Sequence, residues 1–286
     1  MVISVDDEKE MEEILKRDCM SDKYNPEERM KEIVEDCPFL GREYETKSIL
    51  IALAAGQNVV LYGKSGTGKT SFAEWAKKAF GAGECIETYS YRKYQEIDEI
   101  DKVKTNIIIL EDYNYLRVTE FKTRYYMQQE IADDCSLRIK FENISDEYFK
   151  RMLLKENKGK EKILLSYSEI TFWQNKVDKI IIPDEIIEVI SKMHRNYNPC
   201  GDGEWYKAMQ LVKAYAYFEG CEEVSLAHLN IFVDSVFHDR TVDNARIFRE
   251  ELLQRSLQSV TCKKETIIVP KMEEREKNPL IDIPLS

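Results

Sequence analysis

"GKSGTGKT", residues 63–70, is the stretch of this sequence that decides its fold. It fits the pattern G-x-x-x-x-G-K-[ST], whose fixed positions are Gly63, Gly68, Lys69 and Thr70. The apolar run NVVLYG (58–63) before it is typical of a buried parallel strand, and TSFAEWAKKAF (70–80) after it has helical apolar spacing. The sequence therefore predicts a strand, a glycine-rich loop and a helix, the context in which this pattern binds the phosphates of a nucleoside triphosphate.

The chemistry of such a loop gives its residues distinct tasks. Glycines let the backbone curl so that successive N–H groups point at a phosphate, and the N-terminus of the following helix adds positive potential. Lys69 is expected to reach the β- and γ-phosphate oxygens, and the Thr70 hydroxyl to coordinate magnesium, so ATP and Mg²⁺ are the expected cofactors. The residues expected to bind the nucleotide are Gly63, Lys64, Ser65, Gly66, Thr67, Gly68, Lys69 and Thr70.

A second apolar run ends in two carboxylates. Residues 106–115 read NIIILEDYNY, so Glu111 and Asp112 follow a strand candidate. In nucleoside triphosphatases such a strand holds the magnesium and aligns the attacking water, but the acids usually come in the order aspartate, then glutamate. Because successive strand residues face opposite ways, only one acid of an extended pair naturally points at the phosphates. Glu111 and Asp112 are therefore the candidate catalytic acids, and Asp112 the candidate metal ligand beside Thr70.

Further patterns predict an α/β fold. CIETYSY (85–91) and SLRIKFENI (136–144) are additional strand candidates, and GREYETKSILIALAAGQ (41–57) reads as an amphipathic helix. Strands that alternate with helices favour a parallel sheet. Before this core, NPEER offers Asn25 as an N-cap and Pro26 at the first position of a helix that extends to Glu35.

Three helical patterns after the sheet predict a small lid. The first, 181–197, has Asp184 as its N-cap and places Ile187, Ile190 and His194 on one face, while the second spans 203–220. Ser225 caps the third, at 226–237. The predicted organisation is an acidic helical segment (1–40), a P-loop α/β core (41–181), the lid (182–240), and a C-terminal helix and tail (241–286).

Composition restricts the classes of partner. The formal net charge is −11, so binding to nucleic acid would need a local basic patch, and the richest basic stretch, KENKGKEK (155–162), is interleaved with glutamates. We expect no nucleic-acid partner and, since no apolar run is long enough to span a bilayer, no membrane. The seven cysteines form no C-x-x-C pair, which fits reduced thiols in the cytoplasm better than disulfides or zinc.

From Gly41 onward the sequence resembles the MoxR branch of the AAA+ ATPases. GREYETKSILIALAAGQNVVLYGKSGTGKTSFAE (41–74) looks like the opening of that branch. The closer likeness is to the regulatory ATPase variant A family, through FWQNKVDKIIIPDEIIEVI (172–190) and GEWYKAMQLVKAYAYFEG (203–220). The resemblance implies an AAA+ core with a helical lid and a nucleotide-dependent homo-oligomer, typically a hexameric ring. It also implies that the protein remodels or regulates a protein partner, often one with a von Willebrand A domain.

The sequence departs from that family at its acidic strand. The segment between Asp112 and Arg138 is short, so either a strand is missing or the 106–114 strand doubles as the one that carries the polar sensor, which would then be Asn114. The acidic pair is also inverted. Either Asp112 binds magnesium, with Tyr113 where the family has its catalytic glutamate, or Glu111 binds it and Asp112 polarises the water.

A further departure concerns the family's arginines. Its R-R-W becomes Gly203–Glu204–Trp205, so Glu204 replaces the sensor-2 arginine, and Lys207 is a weak substitute. Arg138 is the best positional candidate for the arginine that acts in trans, and Arg124 the next. These departures leave two hypotheses: a slow Mg²⁺-dependent ATPase that acts on a protein partner, or a nucleotide-gated scaffold that does not hydrolyse ATP.

Overall fold

A parallel sheet forms the centre of the computed structural model, which describes residues 24–81, 85–91, 105–110, 136–154, 163–197 and 201–236. In this part of the chain the sheet has four strands, in the order β2-β3-β1-β4. They are β1 (Val59–Gly63), β2 (Ile86–Tyr91), β3 (Thr105–Leu110) and β4 (Leu137–Phe141). All three pairings are parallel, so the predicted α/β class with a parallel sheet is confirmed.

The register of the sheet aligns the C-terminal ends of its strands. Leu61 pairs with Ile109 on one side and with Ile139 on the other, and Gly63 pairs with Phe141. Because parallel strands run in one direction, the residues that follow them lie at a common edge of the sheet. The glycine-rich loop therefore starts at the edge where β3 and β4 end.

Two helices lie close to the sheet in the described residues. α2 (Glu43–Ala54) contacts β4, and α3 (Lys69–Ala79) contacts β2 and β3. The buried ring of Phe72 in α3 also packs edge to face on Phe141 of β4, 5.3 Å between centroids. The expectation that α2 is amphipathic was wrong. Its residues from Ile49 to Ala54 are all buried, because helices from distant parts of the chain cover the side turned away from the sheet.

One of these covering helices is α1 (Pro26–Glu35), which precedes the core. Its predicted N-cap is confirmed, since the Asn25 side chain accepts hydrogen bonds from the N–H groups of Glu27 and Glu28. α1 packs on α2 and also on a helix of the predicted lid. The described part of the segment 1–40 is thus joined to the rest of the fold.

The remaining described elements are helical. They are α4 (Asp146–Leu153), α5 (Tyr167–Val177), α6 (Asp184–Tyr197), α7 (Asp202–Phe218) and a 3-10 helix (Leu226–Val233). Three details differ from expectation. Asp184, the predicted N-cap of α6, is instead its first residue, and the Pro183 carbonyl accepts the first hydrogen bonds of the helix. α6 buries Ile186 and Met193 while Ile187 is exposed, so its core stripe is displaced from the predicted face. The third lid element is a 3-10 helix, which Ser225 caps together with His228.

The predicted lid helices pack on the core. α7 contacts α1, α2, α5 and the 3-10 helix, and the rings of Trp173 and Phe218 meet edge to face at 4.9 Å between centroids. After the 3-10 helix, the carbonyl of Asp234 accepts a hydrogen bond of 2.7 Å from the backbone N–H of Arg138 in β4. The domain boundaries given above stay predictions, and the C-terminal helix expected in 241–286 lies outside the described residues.

A search of the described helices found none with the length and apolar character that crossing a membrane requires.

Candidate nucleotide-binding site

The glycine-rich loop (residues 63–70) joins β1 to α3. Gly63, Gly66 and Gly68 have φ angles of 136°, 81° and 90°, a region that other residues rarely adopt. At Gly63 the packing also requires glycine, since a Cβ there would lie 2.3 Å from the carbonyl oxygen of Phe141 in β4. The sequence thus fixes a sharp turn that is packed tightly against the end of β4.

The Lys69 side chain returns to the loop that precedes it. Lys69 is only 4% exposed. Its ammonium donates hydrogen bonds to the carbonyl oxygens of Gly63, at 3.0 Å, and Lys64, at 2.7 Å. The Thr67 hydroxyl lies 3.5 Å from it. A buried cation held by loop carbonyls places positive charge within the curl of the loop, and the following residue, Thr70, is exposed at the start of α3.

The N-terminus of α3 is also suited to an anion. Its N-cap is Gly68, which offers no side-chain cap, and its first turn contains no acidic residue. The N–H groups of a first turn have no acceptor within the helix, and the positive end of the helix dipole favours an anionic one. The side chains of Asn25, Ser145 and Ser166 cap α1, α4 and α5, and α2 and α7, which also lack a side-chain cap, have acidic residues in their first turns. A phosphate fits the donors that α3 presents.

A second cation, Arg42, lies behind the loop. Its Nη2 donates to the carbonyls of Thr67, at 3.0 Å, and Glu142, at 2.8 Å, while Nη1 donates to Glu45 Oε1 at 2.6 Å. Both charged residues are buried, and burial raises the pKa of the Glu45 carboxyl although Arg42 acts in the opposite direction. Arg42 was not among the site residues predicted from the sequence. The signal that pointed to it was its place three residues before Glu45 at the start of a predicted helix.

The candidate acids Glu111 and Asp112 lie outside the described residues, as do Tyr113, Asn114 and Arg124. The structure does show the strand before them. β3 is hydrogen-bonded directly to β1, so no strand separates it from the strand that carries the loop, and it ends at Leu110. The roles of the acids, including magnesium binding by Asp112, stay predictions. In the ranges that the structure describes, no cluster of three His, Cys, Asp or Glu residues could hold a metal.

Arg138 lies far from the loop of its own chain. It is the second residue of β4 and pairs with Val60, three positions before the Phe141–Gly63 pair at the loop. At about 3.3 Å per residue this separation is roughly 10 Å along the strand. Its use as a trans-acting arginine stays a prediction.

The residues at the sensor-2 position begin α7. Trp205 follows Glu204 in the sequence and precedes Lys207 by two positions. Its buried ring packs against His194 and Phe232, at 5.6 and 5.5 Å between centroids. Glu204 and Lys207 themselves are half-buried. Trp205 therefore serves the packing of the predicted lid, and the structure leaves the functions of its two charged neighbours as predictions.

Comparison with known proteins supports the fold. No protein-family model matches the sequence. Among solved structures the chain is similar to one described as "a putative ATPase from Cytophaga hutchinsonii", with a TM-score of 0.55 and 11% sequence identity. The match covers 80% of this chain and 94% of the other. At this identity the likeness is one of architecture, and the chain therefore shares the fold of that protein over most of its length.

Proposed function

We propose that this protein binds ATP and magnesium at residues 63–70 and is a MoxR-like AAA+ protein whose nucleotide state regulates or remodels a protein partner. One observation carries the proposal: the buried Lys69 ammonium and the uncapped N-terminus of α3 converge on the same turn. Both attract a phosphate chain and neither suits a neutral or cationic ligand. The likeness of fold to a solved structure described as an ATPase supports the proposal.

The residues of the loop divide the work of binding. Backbone N–H groups from Lys64 to Lys69 hold the phosphate oxygens, and Lys69 compensates their negative charge. Thr70, exposed beside the loop, supplies a hydroxyl for magnesium, with Asp112 or Glu111 as the proposed acidic partner. When bound, ATP supplies the γ-phosphoryl group and magnesium neutralises the charge that develops on it.

A second candidate function is a nucleotide-gated scaffold that hydrolyses ATP very slowly or not at all. The inverted pair Glu111–Asp112 and the replacement of the sensor-2 arginine by Glu204 favour it. A catalytic base displaced by about 1 Å can reduce a rate on the order of a hundredfold, whereas binding needs only the loop. In both cases we propose a cytoplasmic homo-oligomeric ring and a protein partner, with a von Willebrand A domain protein as the first partner to test.

The experiment that tests ATP binding is a titration of the purified chain with a fluorescent ATP analogue in the presence of Mg²⁺. Wild type is expected to bind, and Lys69→Ala to lose binding by at least about a hundredfold, because the buried cation is removed from the phosphate site. Lys78→Ala, which removes an exposed lysine from the same helix, is the matched control and should bind like wild type. Equal affinity of wild type and Lys69→Ala would exclude the site.

Phosphate release from the same samples separates the two functions. An ATPase shows turnover that is lost in Lys69→Ala and in one of the variants Glu111→Ala and Asp112→Ala, which assigns the essential acid. A scaffold binds ATP while wild type and all three variants release phosphate at the same background rate.

A further inference from the structure

Arg42 connects three segments that are far apart in the sequence. It directly precedes α2 and is 7% exposed, and its guanidinium bonds to the loop at Thr67, to the residue after β4 at Glu142, and to Glu45 within α2. The guanidinium also lies over the ring of Phe141, 4.6 Å from the ring centroid. Arg42 reaches Glu45 from Nη1 and the two carbonyls from Nη2, and the single nitrogen of a lysine ammonium cannot reproduce this two-point geometry.

The bond to Thr67 has a consequence for the phosphate-binding face of the loop. In a trans peptide the carbonyl of one residue and the N–H of the next point in opposite directions. When Arg42 holds the Thr67 carbonyl from behind, the N–H of Gly68 is directed away from Arg42. Thr67 lies between Gly66 and Gly68, whose backbones are permissive. Its hydroxyl donates to the Lys64 carbonyl within the loop, at 3.0 Å, and Arg42 holds its carbonyl from outside the loop.

The bond to Glu142 places that anchor on the sheet. Glu142 follows Phe141, whose carbonyl packs against Gly63 at the start of the loop. Gly63 thus fixes one end of the loop against β4 by close contact. Arg42 fixes the other end against the same strand by hydrogen bonds.

We infer that Arg42 is a positioning residue for nucleotide binding, which acts through the Thr67 carbonyl to orient the Gly68 N–H toward the phosphates. The inference rests on the proposed function, since it assigns to Arg42 the geometry of that site. Arg42 itself does not touch the nucleotide.

The test compares Arg42→Lys with Arg29→Lys. Arg29 is a matched control, because it also holds a carboxylate, Glu169, and a backbone carbonyl, that of Leu164, and neither belongs to the loop. We expect Arg42→Lys to bind the fluorescent ATP analogue about tenfold more weakly than wild type. Arg29→Lys should lower the melting temperature about as much as Arg42→Lys does, but it should keep the wild-type affinity for the analogue. Equal affinity of Arg42→Lys and wild type, or equal loss in both variants, would overturn the inference.

NMR order parameters of the loop amides in nucleotide-free protein give a readout that does not depend on binding. The order parameters from Gly66 to Lys69 are expected to fall in Arg42→Lys and to stay unchanged in Arg29→Lys. If wild type itself fails to bind ATP, the proposed function fails, while unchanged order parameters in Arg42→Lys would reject the positioning role alone. Should Arg42→Lys not fold, the double variant Arg42→Met/Glu45→Met, which leaves no buried unpaired charge, replaces it in both measurements.

Discussion

Arg29 of α1 and Glu169 of α5 form an ion pair of 2.8 Å between residues 140 positions apart. The Glu169 side chain is 0% exposed, and its oxygens accept further hydrogen bonds from Arg29 Nη2 at 3.2 Å and the Tyr24 hydroxyl at 3.0 Å. Tyr24 in turn accepts from Trp173 Nε1 at 2.5 Å. This network ties residues 24–35 to α5, which lies more than a hundred positions later in the chain. These residues are a structural part of the core.

Removal of Glu169 is expected to destabilise the fold strongly. Glu169→Ala removes the buried acceptor that the Arg29 guanidinium and the Tyr24 hydroxyl share. Loss of one partner of a fully buried pair costs about 3–5 kcal/mol, and because Arg29 is 25% exposed and keeps Glu32 and the Leu164 carbonyl, we expect about 2–3 kcal/mol. Urea unfolding followed by circular dichroism measures the change in the free energy of unfolding.

Glu32→Ala is the matched control for this measurement. Glu32 also pairs with Arg29, at 3.1 Å, but its side chain is 66% exposed, so we expect a loss of less than about 1 kcal/mol. If the two alanine variants unfolded at the same urea concentration, the buried pair would not be what holds α1 on the core.

Gly63→Ala is expected to destabilise the protein through the backbone. A Cβ at this position meets the Phe141 carbonyl at 2.3 Å, and the φ of 136° is unfavourable for alanine. Strain of this kind costs on the order of 2–4 kcal/mol. The free energy of unfolding from a urea titration checks the value.

Gly203→Ala serves as the comparison for the glycine variant. Gly203 lies in the first turn of α7, and no atom lies within 4 Å of the place that an added methyl group would take. Alanine there should therefore be neutral or stabilising by up to about 1 kcal/mol. A stable Gly63→Ala protein would show that β4 moves away from the loop at little cost.

The acid stability of the predicted lid should depend on Glu219. A hydrogen bond from His228 Nε2, at 3.0 Å, lowers the pKa of the Glu219 carboxyl, since His228 Nδ1 accepts the Ser225 N–H and leaves Nε2 as the donor. A carboxyl whose pKa falls on folding stabilises the fold above its unfolded pKa of about 4.3, and this stability is lost as the pH falls through the lowered folded value.

We therefore expect the difference in unfolding free energy between wild type and Glu219→Gln to be present at pH 7 and to shrink below about pH 4. Because Glu219 is partly exposed, the difference should be on the order of 1 kcal/mol or less. Urea titrations at several pH values measure it. A difference that stayed constant down to pH 3 would contradict the role of the carboxylate charge.

The sequence by itself determined the features that depend on near neighbours. The glycine pattern and Lys69 identified the loop between a strand and a helix, and Asn25 with Pro26 identified the start of α1, because turns and caps are made by residues within about four positions of each other. The four described strands were found for a related reason. β1 and β3 are short apolar runs, β2 is rich in tyrosine and β-branched residues, and β4 alternates apolar and polar residues.

Only the tertiary structure decided which distant residues meet. It placed β3 beside β1, buried the C-terminal half of α2 on all sides, and brought the Arg42 guanidinium to the carbonyls of Thr67 and Glu142. Local periodicity does not show which helices will cover a given helix. It also does not show which carbonyl a side chain will bind, because every residue offers the same backbone acceptor. Those contacts follow from the packing of helices and strands separated by many tens of residues, and that packing is what turns a glycine-rich pattern into a fixed loop.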